Sequence, residues 1–296
     1  MVHYIDIFLK AFNGSINWTL KSIFFQVPWQ QNYFWGLTII SAIVLVLEFV
    51  FPWRKNQKKI RNDFWLDFFY MYFNFFVFTI LISGFYRVIE LLFNDLGLNF
   101  NTLKILDSSS LPNWVQLLVF FVLLDFFQWF THVLLHRYQF LWNFHKVHHS
   151  VKEMGFAAHL RYHWMENILY KPLKTLGVML LGGFEPNQAY IVHFAAISIG
   201  HLNHANIKIS WGFLRYIFNS PVMHLYHHAK TLPTKFNKGV NFGISLSLWD
   251  YLFRTAYVPE KSGIIDLGWD GDEDFPKSFF GQLLVGFRNK KRELKK

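Results

Sequence analysis

Cysteine is absent from all 296 residues. That one absence excludes disulfides, thiolate zinc sites, iron–sulfur clusters and thiolate-ligated haem. Charge is scarce as well: Asp, Glu, Lys and Arg make up 16% of the chain, against about 25% in an ordinary soluble protein. Apolar side chains fill the place of the missing polarity, at 53%, with 36 Phe among them. So much apolar surface must face something other than water, and lipid is the simplest choice. The first 34 residues lack the basic start and short apolar core of a signal peptide. They mix aromatics with Lys10 and Lys21 and are expected to form an interfacial or loosely ordered leader.

Three apolar runs follow. Trp35 to Phe51 carries one charge, Glu48, near its end; Phe68 to Tyr86 carries none; Trp114 to Phe130 carries one, Asp125, and is interrupted by it and Gln128. Each is close to the roughly 20 residues that a helix needs to cross a bilayer. The formal net charge of +10 raises the possibility of nucleic acid. The basic residues flank apolar runs instead, as in "WRKNQKKIRND" at 53–63, and no interleaved basic–aromatic surface is visible. No nucleic-acid partner is therefore expected. An excess of Lys and Arg marks cytoplasmic loops. The 53–63 loop is then cytoplasmic, the 94–113 loop lies on the opposite side, and the third run returns to the cytoplasm. The basic C-terminus, "RNKKRELKK", is expected there too. The short apolar stretches around 172–182 and 188–200 then form a helical hairpin, re-entrant or interfacial, with "LLGGFEP" at 180–186 as its turn. The expected fold is an all-α polytopic membrane protein.

Histidine is distributed unevenly. Of the 14, all but His3 lie between His132 and His228. "HKVHH" at 145–149 and "HLYHH" at 224–228 share the spacing H-x-x-H-H. By composition a five-residue window matches that pattern about once in 10,000, so two copies are not a composition effect. His132 and His136 are spaced i, i+4, on one face of a helix. His145, His148 and His149 share one side of a helix, as do His224, His227 and His228. His201 and His204 lie near the end of the expected hairpin. Asp125 falls on the same stripe as His132 and His136, and either orients one of them or bonds a neighbouring helix. His193, and by the same reading His159, is an ordinary hydrogen-bonded core histidine.

Grouped imidazoles without metal repel one another as they protonate near pH 6.5. Metal binding uses their lone pairs and holds them neutral. Nine or ten histidines are enough for two ions, since one zinc needs about four ligands. Nitrogen-rich, cysteine-free sites suit iron as well as zinc. No H-E-x-x-H occurs, which argues against a zinc protease. A di-iron site that uses O2 fits the number of histidines best. The rival is a membrane zinc or iron transporter, which calls for ligands along a span near the bilayer midplane.

At "DFFQWFTHVLLHR", "LWNFHKVHHS", "HAN", "SPVMHLYHH" and "NFGISLSLWDYLF" the chain resembles the fatty acid hydroxylase/sterol desaturase superfamily of membrane di-iron oxidases. The resemblance covers about residues 118–258. That leaves a leader at 1–34, membrane helices at 35–117 and a cytoplasmic tail at 259–296. It implies hydroxylation or desaturation of a sterol, fatty acyl chain, ether lipid or carotenoid, with O2 and reducing equivalents. It implies two iron ions, replaceable by zinc in a purified sample, held by His132, His136, His145, His148, His149, His204, His224, His227 and His228. Asp125, His163, His201 and Asp250 are then expected to support the ligands, with His163 a further ligand in the alternative reading. One departure is visible: relatives usually have Gly-Thr after "WDYLF", whereas here Arg254 precedes Thr255. A fused cytochrome domain is not expected, since 34 residues precede the first span. The expected electron donor is a separate reductase, ferredoxin or cytochrome. The expected location is the inner membrane of a bacterium or the endoplasmic reticulum of a eukaryote.

Overall fold

The structure, a computed structural model, describes residues 2–98, 106–182, 186–259 and 265–287. The basic stretch 288–296 and the centre of the expected turn, 183–185, lie outside these residues. Runs of apolar side chains take up helix because it satisfies every backbone N–H and C=O within the segment. Helix α1 covers Val2–Ile23, α2 Tyr33–Val50, α3 Phe64–Asp95 and α4 Asn113–Arg137. The last three are long and apolar enough to cross a membrane. On α2 the exposed Ile39, Ile43, Val46 and Val50 recur at helical spacing, and on α3 so do Val77, Leu81, Phe85 and Ile89. Exposed apolar stripes of this length fit contact with lipid.

The helices run past the apolar limits read from the sequence. Helix α3 begins four residues earlier, because the charge of Asp67 is matched internally by Arg61 and Arg161. It contains a π turn at Phe73–Val77. Within that turn Asn74 reaches out and donates to the carbonyls of Leu160 and Tyr162, at 3.1 and 2.8 Å. Helix α4 continues through His132 and His136 to Arg137.

The leader differs from expectation. Instead of a loose segment it is the helix α1, packed along the second half of α3. Phe8 lies edge-on to Phe85, with ring centroids 4.9 Å apart, and fits because Gly84 has no Cβ; one there would meet the Phe8 ring at 2.4 Å.

Beyond α4 come α5 (Gln139–His149), α6 (Trp164–Leu180), α7 (Pro186–His204), α8 (Pro221–His227), α9 (Leu248–Leu252) and α10 (Phe279–Leu283). Helices α6 and α7 are the two arms of the expected hairpin. Its tip reaches the start of α4: Gln188 donates to Asn113 and Gln116 at 2.6 and 2.8 Å. There two-residue strands also pair in parallel, Leu106 opposite Leu181 and Asp107 opposite Gly182. The other end of α7 carries His204, so the hairpin runs the length of α4. Helix α7 is parallel to α2, tied to it by Gln31–Asn187 at 2.7 Å, Ser41–His201 at 3.1 Å and Glu48–Asn206 at 2.7 Å. The segment 265–287, expected as part of a tail, docks back on the helices. Gln282 accepts from the Tyr70 hydroxyl at 3.0 Å.

Candidate metal centre

Four separate pieces of chain deliver the histidines. His132 and His136 end α4, His145, His148 and His149 end α5, His204 ends α7, and His224, His227 and His228 come from α8 and its C-terminal residue. Their ring nitrogens gather into two groups. One holds His132, His136, His145, His149 and His227, and the other His148, His204, His224 and His228. Within each group the nitrogen atoms lie within 4.8 Å of one another. All are buried except His136, which is partly exposed. The two H-x-x-H-H copies do not take one ion position each. A helix step of three against four turns His148 away from His145 and His149, and His227 away from His224 and His228. Each copy therefore feeds both groups.

The rings are aimed by their outer nitrogens. The Nδ1–H groups of His132, His148, His204 and His227 donate to the carbonyls of Phe242, Arg161, Gly200 and Val240, at 2.8, 3.0, 2.8 and 2.7 Å. That fixes the tautomer and leaves each Nε2 as a bare acceptor. The Nε2 atoms of His148 and His204 nevertheless face each other at 3.3 Å. Two lone pairs at that distance, with no hydrogen to share, call for a cation between them. His227 Nε2 is buried with no hydrogen-bond partner, as a ligand atom would be. The donor set is all imidazole, so these residues fit two transition-metal ions. Burial first, then mutual repulsion, holds His145, His149, His224, His227 and His228 neutral well below the usual histidine range. Burial pushes His148 down to about 3.

The expected supporting residues take different places. Asp125 touches no histidine. It accepts from the backbone N–H of Ser245 and Leu246, at 3.0 and 3.2 Å, and from the Trp249 indole at 3.0 Å. The physical reason is that the Nδ1 of His132, further along α4, is already taken by Phe242. Asp250 accepts from the N–H of Phe242 and Gly243, at 2.9 and 2.8 Å, and from Thr255 Oγ1 at 2.6 Å. It thus holds the peptide whose carbonyl orients His132. His163 lies outside both groups; its Nε2 donates to the Leu283 carbonyl at 2.9 Å, and burial pushes it down to about 4. His201 lies outside them too, bonded to Ser41 at 3.1 Å and to His159 at 2.7 Å. His159 is more than a core histidine, since its ring also lies 5.0 Å from that of His204. His193 packs between Tyr33 and Phe75.

Two residues of the site carry no sequence signal. Glu166 Oε2 lies 3.0 Å from His145 Nδ1, and burial pushes its carboxyl up to about 8. Arg161 is buried, bridges Asp63 and Asp67 at 2.9 and 3.0 Å, and donates to Ser150 at 2.8 Å. Its own carbonyl is the one that holds His148. Arg254 adopts a left-handed backbone, φ 60°, at the position where the resemblance places glycine.

One chain thus combines three helices long and apolar enough to cross a membrane with two histidine groups that could each hold a metal ion. Residues 117–255 match the fatty acid hydroxylase family. The chain is similar to the ornithine lipid hydroxylase OlsE of Rhizobium tropici, 31% identical over 62% of this chain and 53% of that protein. It is also similar to alkylglycerol monooxygenase of Xenopus tropicalis, 22% identical over 77% of this chain and 48% of that protein. The human alkylglycerol monooxygenase is 26% identical over 50% of this chain and 32% of its own length. The chain thus spans about half the length of the first two relatives. No solved structure gives a significant match.

Proposed function

We propose that this protein is an O2-dependent membrane oxidoreductase that hydroxylates a lipid at a histidine-ligated di-iron centre. The observation that carries the proposal is the pair of buried all-imidazole groups, five and four strong, in a chain whose relatives are named as lipid hydroxylases and monooxygenases. The chemistry a bound iron pair supplies is activation of O2 for cleavage of an unactivated C–H bond.

The protein does the rest. The nine histidines hold the ions, and the carbonyls of Phe242, Arg161, Gly200 and Val240 keep the ligating nitrogens unprotonated. Asp250 and Asp125 stiffen the 242–250 segment that supplies the Phe242 carbonyl. Burial of eight of the nine rings keeps bulk water from the reacting atoms. A lipid chain enters from the apolar sides of the spans, and a reductase, ferredoxin or cytochrome delivers electrons. The histidine end faces the cytoplasm, in the inner membrane of a bacterium or the endoplasmic reticulum of a eukaryote, because the adjoining 53–63 loop is basic.

The substrate class is a membrane lipid with a polar head, the kind named for the relatives, and the oxygen is retained as an alcohol. Desaturation would use the same ligands. Transport would call for ligands along a span; here seven of the nine histidines follow α4 in the chain.

Two measurements test the proposal. Detergent-purified protein should contain iron, or zinc in its place, close to two ions per chain by elemental analysis. Well under one transition-metal ion per chain would sink the proposal. Comparison of the lipids of cells with and without the gene should show a species heavier by one oxygen atom. Loss of two hydrogens would instead establish a desaturase.

A further inference from the structure

We infer that Glu166 makes the two histidine groups unequal, so that the five-histidine group takes up metal first. The inference rests on the two-ion reading above. Among the described residues, Glu166 is the one carboxylate bonded to a grouped histidine: its Oε2 lies 3.0 Å from His145 Nδ1, with both side chains almost fully buried. In the four-histidine group the Nδ1 partners are carbonyls, for His148 and His204, or missing, for His224 and His228. Glu166 forms no ion pair with Lys or Arg among the described residues; its other bond is the long N–H contact from His163 at 3.4 Å.

Two effects then add. A carboxylate on the outer nitrogen makes the ligating nitrogen more basic and locks the ring. A metal ion held at the other nitrogen of the same ring also supplies the positive charge that the buried Glu166 carboxylate otherwise lacks. Both act through His145 and so only on the five-histidine group, which already has one ligand more. The carbonyl partners of the other group fix tautomers but add no charge. Glu166 is thus a positioning residue that sets the order of filling.

Cobalt(II) provides the probe, because its visible absorption is intense in a four-coordinate tetrahedral site and weak at higher coordination. The full-length protein in detergent, stripped by a chelator, is titrated anaerobically with cobalt(II). In the wild type the first equivalent should give the weak spectrum, and the intense band should grow only with the second. Glu166→Gln keeps the shape and removes the charge. It should weaken the five-histidine group about 10- to 100-fold, so that the intense band grows from the first equivalent. Glu166→Asp, which keeps the charge, should move the order back toward the wild type. An intense band at the first equivalent of wild type, or an unchanged order in Glu166→Gln, overturns the inference while leaving the two-ion reading intact. If the wild type binds no cobalt, both fall together. The wild-type titration gives the order of filling, and if Glu166→Gln does not fold, Glu166→Ala read in the same titration tests whether the carboxylate sets it.

Discussion

His148 and His149 are neighbours in sequence and fall in different histidine groups, His148 with His204, His224 and His228, and His149 with His132, His136, His145 and His227. Single substitutions at adjacent positions should therefore have different spectroscopic results. His148→Ala should remove the four-coordinate cobalt band and keep the weak one; His149→Ala should do the reverse. Elemental analysis of each variant should show loss of one ion rather than two. Identical spectra from the two variants would mean that the grouping is wrong.

Asp125 is a buried acceptor inside a long apolar helix, and it closes three N–H groups of the 245–249 segment. Each buried donor left without a partner costs about 1–3 kcal/mol. Asp125→Ala should therefore destabilise the protein by several kcal/mol, and Asp125→Asn by less, because the amide oxygen still accepts. Thermal unfolding followed by tryptophan fluorescence checks both. An unchanged midpoint for the alanine variant would show that the carboxylate is dispensable.

Arg254 occupies a left-handed conformation, φ 60°, which costs a residue with a side chain roughly 1 kcal/mol relative to glycine. Its side chain is exposed. Arg254→Gly should raise the unfolding temperature by a few degrees. Arg254→Ala removes the same charge and keeps the strain, so it should give little of that gain. Equal effects from both variants would assign the change to charge.

The histidines titrate in one direction. The unfolded chain takes up protons on them below about pH 6.5, whereas in the folded chain burial keeps His145, His149, His224, His227 and His228 neutral far below that, and His148 down to about 3. Their contribution to stability is therefore complete above about pH 6.5 and is lost as the pH falls toward 3. Protons and metal compete for the same nitrogens, so metal retention should fall over the same range. Glu166 acts in the opposite sense in metal-free protein. Its carboxyl is held up to about 8, so its contribution is lost as pH rises from its ordinary value of 4.5 through 8. Unfolding midpoints from pH 8 to pH 5 should fall with acid in the loaded protein. A midpoint that rises with acid would contradict this account.

Much of the fold was legible because a membrane leaves so few options. Apolar runs of about the length of a bilayer crossing mark α2, α3 and α4, six histidines stand out by the repeated H-x-x-H-H, and the resemblance completes the set of nine. The sorting of those nine was not legible. The spacing i, i+3, i+4 places three rings on one side of a helix, but whether His148 joins His145 or His204 depends on how α5 meets α7 and α8. Glu166 and Arg161 were hidden for a related reason. Each is a single charged residue in an ordinary stretch, and its partner is reached only through folding: His145 across 21 residues and Asp67 across 94. The helix α1 and the docked 265–287 segment likewise owe their order to contacts such as Phe8 in the gap at Gly84 and Gln282 on Tyr70.

Because each H-x-x-H-H segment sends neighbouring rings to both histidine groups, one turn of backbone ties the two groups to each other. On the proposed function, spans that tilt in the bilayer or part to admit a lipid chain would leave that tie unchanged. Lipid composition would then change access to the centre without changing the spacing within it.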